Sequence, residues 1–197
     1  MFVSKNRCSY QLHIQLQDIK PAIWRRVVVA DTTSLAQLHR IIQAAMGGVM
    51  GQRFAFEVAG QRYGAPNPDM PEDPTMDARR YTLAQLMQGQ PLPMRYSAGM
   101  AGGLHHRIKL EACTPADPAQ LEQLPECLAG RSPCPPYATS LTGNCFDLAA
   151  AQQRVQSLSA AANPVAPTSF SAAMAPSTKA LPKAAAAPSR GTEAAMA

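Results

Sequence analysis

The residues of this chain with reactive chemistry are four histidines, of which His39 and His106 stand out, five cysteines and a scatter of arginines. His39 sits beside Leu35 and Ile42 in one apolar repeat, and His106 alternates with Leu104 and Ile108 in another. Either imidazole could act as a general acid–base or a metal ligand. Neither has a second histidine or a carboxylate at ligand spacing, so each reads first as a half-buried structural residue. His105 and His106 are adjacent, and on a strand they project to opposite faces. Cys113, Cys127, Cys134 and Cys145 are separated by 13, 6 and 10 intervening residues. That spacing lacks the Cys-x-x-Cys knuckle of structural zinc sites, so no cofactor is expected; zinc on these four thiols is the alternative, and Cys8 belongs to no such scheme. The glycines at Gly99, Gly102 and Gly103 lack the Lys-Ser/Thr of a phosphate loop and precede a strand pattern, not a helix. Arg25, Arg26, Arg40, Arg79 and Arg80 are read as a solvated surface, because few aromatics accompany them for stacking on bases.

The elements that must carry these residues follow from periodicity. Tyr10, Leu12, Ile14 and Leu16 alternate with polar residues as a strand, and a second strand runs over Ile23 to Val29 beyond the break at Lys20-Pro21. Ser34 and Gln37 have the spacing of a capping box, and Leu35, Leu38, Ile41, Ile42 and Ala45 form one helical face that ends at Gly47-Gly48. Phe54 to Val58 is a third strand, which Ala59-Gly60 turns into a short partner at Arg62-Tyr63. Residues 65–78 read as a loop, Thr82 to Met87 as a short helix, Leu92 to Tyr96 and Leu104 to Leu110 as strands, and Phe146 to Leu158 as a final helix. The pattern is that of an α+β domain: a mainly antiparallel sheet packed with one long and a few short helices. Trp24, Leu38, Ile42, Phe56 and Ile108 are its expected core members.

Composition divides the chain near Ser159. Residues 159–197 hold 15 Ala, 5 Pro and 8 Ser or Thr, and proline recurs too often for a helix to propagate. The expectation is a folded domain over 1–158 and a disordered tail over 159–197. The tail carries +2, so residues 1–158, with 15 Lys or Arg against 12 Asp or Glu, hold only +3 of the total +5. No run of about 18 apolar residues exists and the first ten residues contain no apolar signal core, so a cytoplasmic protein with reduced thiols is expected and a membrane role is not.

Over residues 9 to about 136 the chain resembles the plasmid pRiA4b ORF-3-like family. The resemblance is carried by Lys20-Pro21-Ala22-Ile23-Trp24-Arg25-Arg26, then Leu38-His39, Ile42-Gln43 and Met46-Gly47. The strand His106 to Glu111 and the cysteine- and proline-containing loop, Pro125 to Gly130 and Cys134 to Pro136, continue it. The resemblance implies an α+β domain found on plasmids and mobile elements, with no established activity. This chain departs from the family where a tryptophan and a His-x-His are replaced by Gly48, Gln52 and Phe54, and where Asp-Phe-Gly-Asp-Gly-Trp becomes Gly99-Met-Ala-Gly-Gly-Leu104. Such losses remove groups that ligate or transfer protons. The expected function is therefore a non-catalytic binding or accessory domain, with Arg25, His39 and His106 as the ligand surface. A hydrolase or nucleic-acid-processing enzyme using His39 and His106 is the alternative. A protein or small-molecule partner is expected, and nucleic acid stays open.

Overall fold

The computed structural model describes residues 7–48, 53–67, 72–87, 93–99, 104–132 and 146–162. Strands β1 (Cys8–Leu16) and β2 (Trp24–Ala30) form an antiparallel pair, and helix α1 (Leu35–Met46) follows. Ser34 caps α1 by accepting from the Gln37 amide while the Gln37 side chain accepts from the Ser34 amide, the reciprocal box read in the sequence. Gly47 ends the helix with φ +79°, a left-handed turn that glycine adopts without a Cβ clash. β3 (Phe54–Val58) and β4 (Gln61–Gly64) form a hairpin whose two turn residues, Ala59 and Gly60, both have positive φ, as a two-residue turn of this hand requires. β5 (Met76–Asp77), α2 (Leu83–Met87), β6 (Met94–Ala98), β7 (Leu104–Pro115), α3 (Pro118–Glu122), β8 (Glu126–Arg131) and α4 (Leu148–Ala162) complete the described chain.

The eight strands make one sheet in the order β5-β4-β3-β6-β7-β1-β2-β8, antiparallel except where β4 meets β5. One face packs on helices. Leu12, Ile14 and Leu16 of β1, Val27 and Val29 of β2, Phe56, Met94 and Ile108 are buried there with Leu35, Leu38, Ile42 and Ala45 of α1 and Ala151 and Val155 of α4. Each of the Val, Leu, Ile, Phe and Met side chains contributes about 1.5–3 kcal/mol when fully buried, the alanines less. The opposite face is open across the central strands, where Glu57, Arg62, Arg95, Arg107 and Lys109 are all exposed.

Several sequence expectations need correction. The stretch read as a loop over 65–78 contains β5, two residues paired with Tyr63 and Gly64. β7 runs five residues beyond Leu110, because the register shifts between Gln11 and Leu12, leaves Glu111 as the extra residue and breaks the alternation. Glu126–Arg131, taken as loop, is the edge strand β8. The last helix begins at Leu148 and continues to Ala162, where the periodicity predicted Phe146 to Leu158. Trp24 is not a core residue; it is half-buried on the open face, and Arg25 takes the inward position beside Val27. Residues 163–197 and Leu92 lie outside the described residues.

Candidate functional site

Cross-strand pairing places Phe56, Tyr96, His106 and Leu16 side by side on the helix-covered face. Above them α1 presents His39 and Gln43, one turn apart on the same side. The Gln43 amide donates to the Tyr96 hydroxyl at 2.6 Å, and that hydroxyl lies 2.7 Å from His39 Nδ1. With Nδ1 of a neutral His39 unprotonated, the Tyr96 hydroxyl accepts from Gln43 and donates to that nitrogen; in the other tautomer it accepts from both. Phe54 stacks on the His39 ring at 3.9 Å between centroids, and Tyr96 lies 5.3 Å from the His106 ring. Burial pushes both histidines down to about 4, aided at His39 by the Arg40 charge and opposed at His106 by hydrogen bonds with the Leu104 and Tyr96 backbone. Gln43 Oε1 and His106 Nδ1 are buried with no hydrogen-bond partner.

The two sequence-selected histidines are thus brought together through Tyr96, which sequence reasoning missed along with Gln43. A legible signal existed, since Gln43 is four residues from His39 and Tyr96 holds an inward place in its strand. The cluster pairs neutral imidazoles with an amide and a phenol. Near neutral pH none of these is poised to exchange a proton. The Phe54 ring covers His39.

Arg25 is engaged elsewhere. It is 2% exposed, and its guanidinium donates to the carbonyls of Ala45 (3.0 Å), Trp24 (2.7 Å), Arg131 (2.9 Å) and Ser132 (3.0 Å), with the Phe146 ring 3.9 Å away. The expectation of a solvated Arg25 is overturned: the side chain ties the C-terminus of α1 to the ends of β2 and β8. Arg154 of α4 donates to Ala44 at the same helix end, so two guanidinium groups meet the negative pole of α1. Gly130 makes room for this, because a Cβ there would lie 2.8 Å from Arg25 Cδ and 2.6 Å from the Phe146 ring. An open groove of about 480 Å³ between α1, α3 and α4, lined by Arg7, Thr33, Arg40, Ile41, Leu121 and Leu158 among others, includes none of Arg25, His39 and His106.

Of the four cysteines weighed as zinc ligands, the two described ones stand on separate strands. Cys113 is exposed on β7, and Cys127 is buried on β8, with β1 and β2 between those strands. The shift at Glu111 puts Cys113 opposite Tyr10, on the same side of β1 as Cys8, and the two thiols interact. Cys8, left out of the sequence scheme, is therefore the neighbour of Cys113. Cys134 and Cys145 lie outside the described residues. Burial raises the Cys127 thiol above its ordinary value, and burial with Cys8 does the same at Cys113.

The open face of the sheet shows a different arrangement. Directly opposed residues form a row across seven strands: Arg62, Glu57, Arg95, Arg107, Gln15, Trp24 and Arg131. At about 4.8 Å per strand it spans about 29 Å. Lys109, His13 and Arg26 make a parallel row beside it. The His13 ring stacks on Trp24 at 5.2 Å and 29°, and the Arg26 guanidinium lies 5.5 Å from the Trp24 ring. Arg26 is neutralised by a two-pronged bond to Glu111, which the guanidinium and the Gln11 amide hold down at about 2. Arg95, Arg107 and Lys109 have no ion pair among the described residues.

The sequence profile described as "Plasmid pRiA4b ORF-3-like protein" matches residues 8–151. An uncharacterised protein, y4hQ of Sinorhizobium fredii (strain NBRC 101917 / NGR234), is 32% identical over 127 residues, which span 64% of this chain and 63% of that protein. The crystal structure of MM3350, a protein of unknown function from Methanosarcina mazei Go1, superposes with a TM-score of 0.55 at 23% identity, covering 64% of this chain and 71% of the other. That likeness is one of fold.

Proposed function

This chain belongs to the plasmid pRiA4b ORF-3-like family, and from that premise we propose that it is a binding or accessory domain, not a catalyst, whose working surface is the open face of the sheet. The observation that carries this reading is the row of exposed arginines on that face, where Arg95 and Arg107 stand directly opposite each other. Like charges so paired destabilise a sheet, and folding alone gives no reason to keep them. The histidine cluster, buried and neutral, stiffens the contact between α1 and the sheet. The family's name ties it to a plasmid-borne reading frame, which suits an accessory role on a mobile element. A cytoplasmic setting is part of the proposal, supported by the odd cysteine count; no described helix is long and apolar enough to cross a membrane.

The competing hydrolase reading assigns acid–base roles to His39 and His106. Turnover of phosphodiester and phosphomonoester substrates by the full chain is expected to stay at the buffer rate. Turnover by the wild type that disappears in a folded His39→Gln, His106→Gln double variant would overturn the proposal.

A further inference from the structure

We propose that the open face binds single-stranded nucleic acid, with a base stacked on the Trp24–His13 pair and the flanking phosphates on Arg95, Arg107, Lys109 and Arg131. This rests on the preceding reading of the open face as the binding surface. Charge is the first support. The face carries Arg26, Arg62, Arg95, Arg107, Lys109 and Arg131 against Glu57, Glu111 and Glu126. Six cations less three carboxylates leave +3, as large as the whole excess of residues 1–158. Two of the carboxylates are set aside from the central path: Glu111 is spent on Arg26, and Glu126 lies opposite Val28 towards the other end of β2. Glu57 lies in the row itself, between Arg62 and Arg95, and Lys109 is two residues from Glu111, which leaves Arg107 and Arg131 as the cations with no acid directly opposite them.

The aromatic pair is the second support. Trp24 is half-buried on the same face, one strand from Arg131 and two from Arg107. A positively charged surface interrupted by a half-exposed aromatic is the combination that tracks a phosphate backbone and holds unpaired bases. A duplex cannot use the platform, because its base faces are already stacked, so the single strand is the occupant the chemistry favours.

Trp24 is the only tryptophan in the chain, so it reports on its own site. An oligothymidylate of about 20 nucleotides, titrated into the full chain at about 50 and 200 mM salt, is expected to quench its emission with affinity that falls as salt rises. In an Arg107→Ala, Lys109→Ala variant, affinity is expected to fall at least tenfold, and the slope of log affinity against log salt to flatten by about 1.4, two phosphate contacts at about 0.7 each. Both side chains are exposed, and the cations beyond residue 158 are untouched by the change. Unchanged emission at saturation, an unchanged affinity in the variant, or equal quenching by a duplex of the same length overturns the assignment. Heparin, a polyanion without bases, separates this from the underlying reading. Heparin binding that needs Arg107 and Lys109, without quenching by oligothymidylate, refutes the single strand and keeps the face; binding of neither refutes both.

Discussion

Acid should weaken this fold through its histidines before it reaches its carboxylates. An unfolded histidine takes up a proton near 6.5, whereas His39 and His106 resist until about 4. Between those values the unfolded chain binds more protons, so the stability contributed by the two neutral rings is complete above about 6.5 and lost as pH falls towards 4. Taken as independent sites, each ring loses about 2.4 kcal/mol between about pH 7 and 4.5, or about 5 kcal/mol for the pair. That is comparable to the entire stability of many domains, about 5–15 kcal/mol. Beyond desolvation, the neighbouring Arg40 charge also opposes protonation of His39. Urea unfolding followed by far-ultraviolet circular dichroism at several pH values measures the effect directly. His13, also held down by partial burial, acts in the same direction, so the His39→Gln variant is the control. It should be less stable near neutrality, yet lose roughly half of the pH dependence. A wild-type change below about 1 kcal/mol over that range, or an unaltered slope in the variant, refutes the account.

Replacing Arg25 by Met strands four carbonyls at the junction of α1, β2 and β8, and should cost about 3 kcal/mol or more in urea unfolding; a loss under 1 kcal/mol would mean that the guanidinium is not the clamp described. Gly130→Ala drives a methyl group against Phe146 and Arg25 and should cost about 1–3 kcal/mol, with partial recovery in a Gly130→Ala, Phe146→Leu double variant. Equal losses in the single and double variants would place the strain elsewhere.

Local pattern made much of this architecture readable. The alternation of Tyr10 to Leu16, the Ser34–Gln37 box with its apolar face, and the Ala59-Gly60 turn are each decided by neighbours a few residues apart, and each stands where the sequence puts it. What escaped depends on distant partners. The extension of β7 was hidden because the irregularity at Glu111 switches which residues face inward, so the alternation fails just where pairing continues. β8 reads Glu-Cys-Leu-Ala-Gly-Arg, with only one buried side chain, and becomes a strand because β2 offers it an edge. Arg25 looked solvated because it is charged; its parity with Ile23, Val27 and Val29 carried the opposite message. Of the site, the two histidines were visible as residue types, but their meeting over Tyr96 needed the β6–β7 register. The cation row was invisible for the same reason. Its cations come from β4, β6, β7 and β8, far apart in sequence and aligned only by register.

The two borders of the sheet are closed by different means. β5 at one border is two residues long, too short to template another strand. At the other, the Cys127 amide of β8 points away from β2 and donates to Gln152 of α4 at 2.6 Å, and Phe146 packs over Gly130. The helix thus satisfies a donor that a foreign strand would need for zipper-like growth. A protein that presents a broad sheet face to solvent and yet must not polymerise has to protect its rims, and here α4 does so for the longer one. Its docking onto β8 therefore bears on solubility as much as on folding: a chain in which α4 came away would uncover an unpaired ladder of six residues, the kind of border along which sheets join into aggregates.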